Sequence, residues 1–91
     1  MEIIKSLGDV LADKISISPT AARGLIKLAI KDELGPFTEV NKVNFNDLQK
    51  TISNSFKKRL VNLSIQNVEV ITESMLTQLK HIQSLITMAN V

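Results

Sequence analysis

The sequence predicts an all-α fold, a small compact bundle of about four helices, and two observations support this prediction. Apolar residues recur at helical steps of four and three, most clearly at Met75, Leu79, Ile82, Ile86 and Ala89. Two boundaries are marked by strong start and stop signals, Ser18-Pro19 and Gly35-Pro36. Because only 3% of the chain is aromatic, leucine, isoleucine and valine must fill the core of the single helical domain that we expect to span 1-91.

The first two helices follow from their apolar positions and their boundary residues. The first is expected from about residue 2 to residue 14, with apolar positions at Ile3, Ile4, Leu7, Leu11 and Ile15. Gly8 weakens this helix by about 1 kcal/mol relative to alanine. The second begins where the Ser18 oxygen can accept an amide hydrogen bond and Pro19 supplies a fixed φ, and it ends at Gly35-Pro36. Since it is apolar around much of its circumference, we expect it to be covered on two sides.

A third and a fourth helix follow the longest irregular connection, residues 36 to 44. Asn44 or Asn46 can cap the third helix, whose apolar face comprises Phe45, Leu48, Ile52, Phe56, Leu60 and Leu63. The segment 68-71 has two interpretations, the first turn of the last helix after an Asn67 cap, or a short extended segment with Thr72 as the cap. Consecutive β-branched residues disfavour a helix, and an acidic residue after Thr72 suits a helix N-terminus, so we predict the extended segment.

Composition argues against an enzyme. The chain has no cysteine and a single histidine, His81, so a disulfide framework, a cysteine zinc site and a histidine pair on a metal are excluded. The glycines are scattered, no serine lies in a nucleophile elbow, and Glu69 and Glu73 make no acid–base pair without a pocket. We therefore expect no catalytic residues, no cofactor and no metal. No long apolar stretch and no secretion-signal pattern is present, so we expect a cytoplasmic protein without membrane association.

The apolar seam of the last helix carries the leading functional prediction. Such a seam must bury against another helix, and Leu76 and Leu85 widen it beyond what one surface groove needs. Packing within a four-helix domain is one way to bury it, and packing against another protein is the second. We predict a non-enzymatic protein-interaction module that self-associates or is a subunit of a complex. The predicted partner-binding residues are Met75, Leu79, Ile82, Ile86 and Ala89.

Basic residues support nucleic-acid binding as the alternative function. The formal net charge is +2 and the pI about 9.1, and cations fall on one face of the second helix and in a run within the third. A solvated helix face explains the same pattern without a ligand. If the cations bind DNA, the contacting residues are Arg23, Lys27, Lys31, Lys57, Lys58 and Arg59.

Residues 10-31 resemble a helix-turn-helix. Ala12 falls at the expected helix crossing, Ile17 at the turn and Ser18 at the cap, while Ser16 stands where a glycine is usual. The resemblance implies that the second helix reads DNA, with phosphates or guanine edges contacted by Arg23 and Lys27. The residues that would face DNA are Thr20, Ala21, Arg23, Gly24 and Lys27.

Residues 19-86 resemble the histone fold in the order of their elements, which are a helix, a loop, a long helix, a short extended loop and a final helix. Residues 70 to 76, VITESML, are similar to the passage from that loop into the final helix. The resemblance implies an obligate dimer, which would explain the wide apolar face of the last helix. DNA-binding members usually have basic residues in this loop, but residues 67 to 71 carry Glu69 and neither arginine nor lysine.

Overall fold

The computed structural model describes residues 2 to 89, and their side chains except those of residues 2, 41 and 86 to 89. The elements are α1 (Glu2–Ile15), α2 (Pro19–Leu34), a 3₁₀ turn (Val40–Lys42), α3 (Phe45–Thr51), a π-helix (Ile52–Phe56), α4 (Lys57–Asn62) and α5 (Val68–Ala89). Because α3, the π-helix and α4 follow one another without a break, they form one continuous third helix. From residue 2 to residue 89 the chain is therefore a bundle of four helices without strands, which confirms the predicted fold class.

The four helices pack in a cycle around one core. α1 packs against α2 and α5, and the third helix packs against the same two neighbours. α2 is therefore covered on two sides, as the sequence predicts. The largest core side chains are aliphatic apart from one phenylalanine, and they include Ile4, Leu7, Leu11, Ile26, Ile30, Leu48, Ile52, Phe56, Leu60 and Met75.

Side-chain caps begin α2 and α3: Ser18 is the predicted cap of α2, and of the two alternatives for α3, Asn44 is the cap. Ser18 Oγ accepts a hydrogen bond from the Ala21 N–H at 3.1 Å, and Asn44 Oδ1 accepts one from the Asp47 N–H at 2.8 Å. α2 ends at Gly35, whose φ of 114° is a conformation that favours glycine. Ser18 and Asn44 each satisfy a backbone N–H that has no partner within its helix, and such a cap stabilises a helix by about 1 kcal/mol.

The predicted extended segment at 68-71 is wrong, because α5 already begins at Val68. The Ile71 N–H donates to the Asn67 carbonyl at 3.0 Å, which is a helical hydrogen bond. Thr72 is inside the helix, where its buried hydroxyl donates to a backbone carbonyl one turn earlier at 3.1 Å. Ile71 is also buried, so packing of this turn outweighs the low helix propensity of β-branched residues. The extended loop on which the histone-fold resemblance depends is therefore not formed here.

The third helix contains a π-helical segment because its buried apolar residues are spaced four apart. The apolar residues of this helix that are at most 1% exposed are Leu48, Ile52, Phe56 and Leu60. An α-helix turns about 100° per residue, so three steps of four would carry the side chain about 120° away from the core. The wider turn of a π-helix takes up this drift and keeps all four residues in the core. Leu63, predicted on the same face, lies after α4 and is 54% exposed.

Candidate protein-interaction surface

The last helix extends beyond the core that its first half helps to form. Ile71, Met75 and Leu79 are at most 4% exposed, because the other helices of the chain cover them. Further along α5, Ile82 is half-buried and Leu85 is 52% exposed. With 22 residues, α5 is about 33 Å long, and its buried stripe ends near the middle.

Packing within the chain separates the predicted partner-binding seam of α5 into a covered part and an accessible part. Met75 and Leu79 are occupied by packing within the chain, so the internal alternative accounts for these two residues. Ile82 lies at the margin of the core. The side chains of Ile86 and Ala89 lie outside the described residues. The part of the predicted seam that another molecule can reach therefore begins at Ile82, and we call Ile82 and Leu85 the tail surface.

The six predicted nucleic-acid contacts do not form one continuous basic face. Three of them have acidic partners in the ion pairs Arg59–Asp32, Lys57–Glu69 at 3.1 Å and Arg23–Asp9 at 3.8 Å. Lys27, Lys31 and Lys58 are exposed, and none of them forms an ion pair with a described side chain. Of the six predicted contacts, the cations available to a polyanion are therefore these three lysines.

The two acids at the end of α2 are held by the third helix. Arg59 donates to both carboxylate oxygens of Asp32, and this hydrogen bonding raises the pKa of the Arg59 guanidinium. Glu33 accepts hydrogen bonds from Ser55 Oγ at 2.9 Å and from Asn54 Nδ2 at 3.0 Å. The Ser55 bond above all, with that of Asn54, lowers the pKa of the Glu33 carboxyl. These contacts fix the last turn of α2 against the π-helix and α4 and draw both acids toward that helix.

Sequence reasoning missed a second group of exposed apolar residues. Val61, Leu63 and Val70 are 58%, 54% and 58% exposed, and all three lie around the connection from α4 to α5. We call these three residues the corner surface. Single exposed apolar residues are normal on a protein surface, whereas a contiguous apolar patch marks an interaction site. The available signal is that Val61 follows the core residue Leu60 and Val70 precedes the core residue Ile71, so each lies about 100° around its helix from a buried neighbour.

Two surface depressions of the third helix lack the opposing wall of a small-molecule site. One of about 360 Å³ is lined by residues of a single helix, which are Ser53, Asn54, Lys57, Lys58, Val61 and Asn62. A depression formed by one helix has no opposing wall to enclose a small molecule. The described side chains also include no group of three or more that is suited to hold a metal ion.

Two further observations leave these exposed surfaces as the basis for a functional proposal. No helix in the described range is long and apolar enough to cross a membrane. Comparison with protein-family models, with curated proteins and with solved structures gives no match. The function must therefore be argued from the exposed side chains themselves.

Proposed function

We propose that this chain is a non-enzymatic protein-interaction module that self-associates by helix–helix packing. One observation carries the proposal: apolar residues continue along α5 after its own core has ended. Burial stops at Leu79, yet Ile82 and Leu85 follow at helical spacing, and the sequence continues the pattern with Ile86 and Ala89. A water-exposed apolar stripe on a helix is the usual mark of a helix-docking surface. The proposed function is compatible with the cytoplasmic location that is expected from the sequence.

The tail surface alone is too small to hold two chains together. Complete burial of one leucine or isoleucine side chain contributes about 1.5–3 kcal/mol. Association loses about 4–15 kcal/mol through restricted translation and rotation, and stable interfaces bury about 1,200–2,000 Å² in total. The partner must therefore bring further apolar surface to the contact.

Replacing Leu85 by lysine is expected to abolish self-association and leave the fold intact. Leu85 is 52% exposed, so the core loses little, whereas an ammonium group cannot be buried in an apolar contact without a partner. Light scattering coupled to gel filtration, run over a wide concentration range, gives the molar mass. The wild-type chain should exceed the monomer mass of 10.1 kDa as concentration rises, and Leu85→Lys should remain at that mass.

Leu28→Lys is the matched control for this experiment. Leu28 is 48% exposed, so its replacement adds the same charge at a similarly exposed position. Because Leu28 lies on α2, away from the tail surface, this variant should associate like the wild type. Circular dichroism of both variants checks that helicity is unchanged. A wild-type chain that stays monomeric at every concentration contradicts the proposal, and a Leu85→Lys chain that assembles normally excludes the tail surface.

DNA binding by α2 is the second candidate, and the turn before α2 favours it. Ser16 has a φ of 57°, the left-handed conformation for which a helix-turn-helix usually supplies glycine. The Ile17 N–H donates to the Ala12 carbonyl at 3.2 Å and closes the turn. Lys27 and Lys31 are exposed on α2, and no described carboxylate forms an ion pair with them. These features support a contact between α2 and phosphates.

The double variant Lys27→Glu/Lys31→Glu tests this candidate. Fluorescence anisotropy of a mixed-sequence duplex, titrated at about 50 and 200 mM salt, measures affinity and its salt dependence. If α2 binds phosphates, loss of both lysines should lower the salt slope by about 2 and weaken binding at low salt. Lys5→Glu on α1 removes an exposed cation elsewhere and should have a smaller effect. No binding by the wild type at the lower salt concentration would rule this candidate out.

A further inference from the structure

We propose that protonation of His81 weakens self-association, so that assembly through the tail surface depends on pH. The inference rests on the proposed function and concerns the regulation of the same contact. His81 is exposed on α5 and is the single histidine of the chain. Histidine is the side chain whose ordinary charge change lies between about pH 5 and 8. A contact that includes His81 therefore acquires a positive charge within this range.

His81 lies directly beside the tail surface. It precedes Leu85 by four residues, so the two positions are about 6 Å apart along the helix axis and about 40° apart around it. Long side chains on a helix lean toward its N-terminus, which brings the Leu85 side chain toward the turn that carries His81. Leu85 is 52% exposed. A helix that packs on Leu85 therefore removes water from one side of the imidazole.

The neighbouring cation Lys80 does not share this position. It precedes Leu85 by five residues, which places it about 140° away around α5. Lys80 is exposed, so its ammonium group stays in water when the tail surface is covered. The basic side chains of residues 74 to 91 are those of Lys80 and His81, and of these two only His81 borders the contact.

No described carboxylate is paired with His81. Its helix packs against α1 and the third helix. In those two helices the charged groups with described side chains are Lys5, Asp9, Asp13, Lys14, Asp47, Lys50, Lys57, Lys58 and Arg59. None of them forms an ion pair with His81, and on α5 itself Glu69 and Glu73 are more than two turns away. Within the described side chains, the charge of a protonated His81 is therefore not balanced by an ion pair.

The desolvation of this charge gives the direction of the effect. An imidazolium that loses water without an ion-pair partner is disfavoured, whereas the neutral ring can lie against a leucine side chain. The separated chain therefore binds the proton more readily than the assembled chain, and linkage requires association to weaken as the pH falls. We expect the dissociation constant to rise by on the order of tenfold between about pH 7.5 and about pH 5.5.

Light scattering coupled to gel filtration, run at both pH values over one concentration range, tests the inference. The mass of the wild-type assembly should fall toward 10.1 kDa at the lower pH. His81→Gln is neutral throughout and should assemble equally at both values, whereas His81→Lys is charged throughout and should assemble weakly at both. Lys80→Gln removes the cation on the other face of α5. It is the matched control and should keep the pH dependence of the wild type.

The outcomes separate this inference from the proposed function. A wild-type assembly that is equally strong or stronger at the lower pH overturns the inference and leaves the proposed function standing, and so does a pH dependence that persists in His81→Gln. If the wild type is monomeric at both values, or if Leu85→Lys assembles normally, the proposed function fails and the inference fails with it. Circular dichroism checks helicity at both values. If acid unfolds the wild type, assembly of His81→Lys at the higher pH decides, and wild-type strength there overturns the inference.

Discussion

Replacing Phe56 by alanine is expected to lower the free energy of unfolding by about 3–5 kcal/mol. Phe56 is 1% exposed and is among the largest fully buried side chains of the chain. It lies in the π-helix, whose two neighbouring helices limit how far the cavity can collapse, so a cavity cost adds to the lost burial. A domain of this length has a total stability of only about 5–14 kcal/mol. Urea denaturation followed by circular dichroism measures the loss.

Phe37→Ala is the control for this substitution, because the same side chain is removed from a different environment. Phe37 is 95% exposed in the turn after α2, so its loss should change the free energy of unfolding by no more than about 0.5 kcal/mol. A large loss from Phe37→Ala, or a small one from Phe56→Ala, would contradict the packing described for these two residues.

Alanine substitution at two helical glycines is expected to have opposite effects on stability. A Cβ at Gly8 would lie 2.6 Å from Arg23 Cγ and 3.4 Å from the Arg23 backbone nitrogen. Overpacking of this kind costs about 1–3 kcal/mol and outweighs the gain in helix propensity of about 1 kcal/mol. At Gly24 a Cβ would meet nothing within 4 Å, so Gly24→Ala should gain about 1 kcal/mol. Urea denaturation of both variants gives the two signs.

A double-mutant cycle identifies the cause of the Gly8 effect. Arg23→Ala removes the Cγ that lies closest to the new methyl group and leaves the more distant backbone contacts. In that background Gly8→Ala should cost less than it does in the wild type, or become stabilising. An equal cost in both backgrounds would mean that the close approach of Arg23 is not responsible.

Helix boundaries set by local chemistry could be predicted from the sequence. Ser18 and Asn44 cap their helices, and Gly35 ends α2, because each acts on amides and carbonyls only a few residues away. The beginning of α5 could not be predicted in this way. Ile71 and Thr72 disfavour a helix locally, and only their burial against other helices reverses that preference.

The π-helix could not be predicted from the sequence alone, because the spacing that leads to it allows three outcomes. The four-residue spacing of buried positions is visible in the sequence, and a continuous α-helical face was predicted from it. Whether such a helix bends, rotates out of the core or forms a wider turn depends on the elements packed against it. Here both α2 and α5 contact the π-helix, so the wider turn keeps Ile52 and Phe56 in the core.

The candidate interaction surface was predicted in part. The seam of α5 has the same spacing inside the core and beyond it, so periodicity does not show where burial ends. That limit depends on how far the neighbouring helices extend alongside Leu79 and Ile82. The ion pairs could not be predicted either, because they depend on tertiary packing. Asp32 and Arg59 are brought together by the packing of α2 on the third helix.

The wide turn in the third helix also determines which single-residue deletion this helix can accommodate. Without Ser53, the four buried positions would be spaced four, three and four residues apart, and an ordinary α-helix keeps that spacing on one face. Ser53 is exposed, and the hydrogen bonds to Glu33 come from its two successors. The third helix is thus equivalent to an α-helix with one inserted residue. Loss of that single codon would retain every buried apolar side chain of the helix, namely Leu48, Ile52, Phe56 and Leu60.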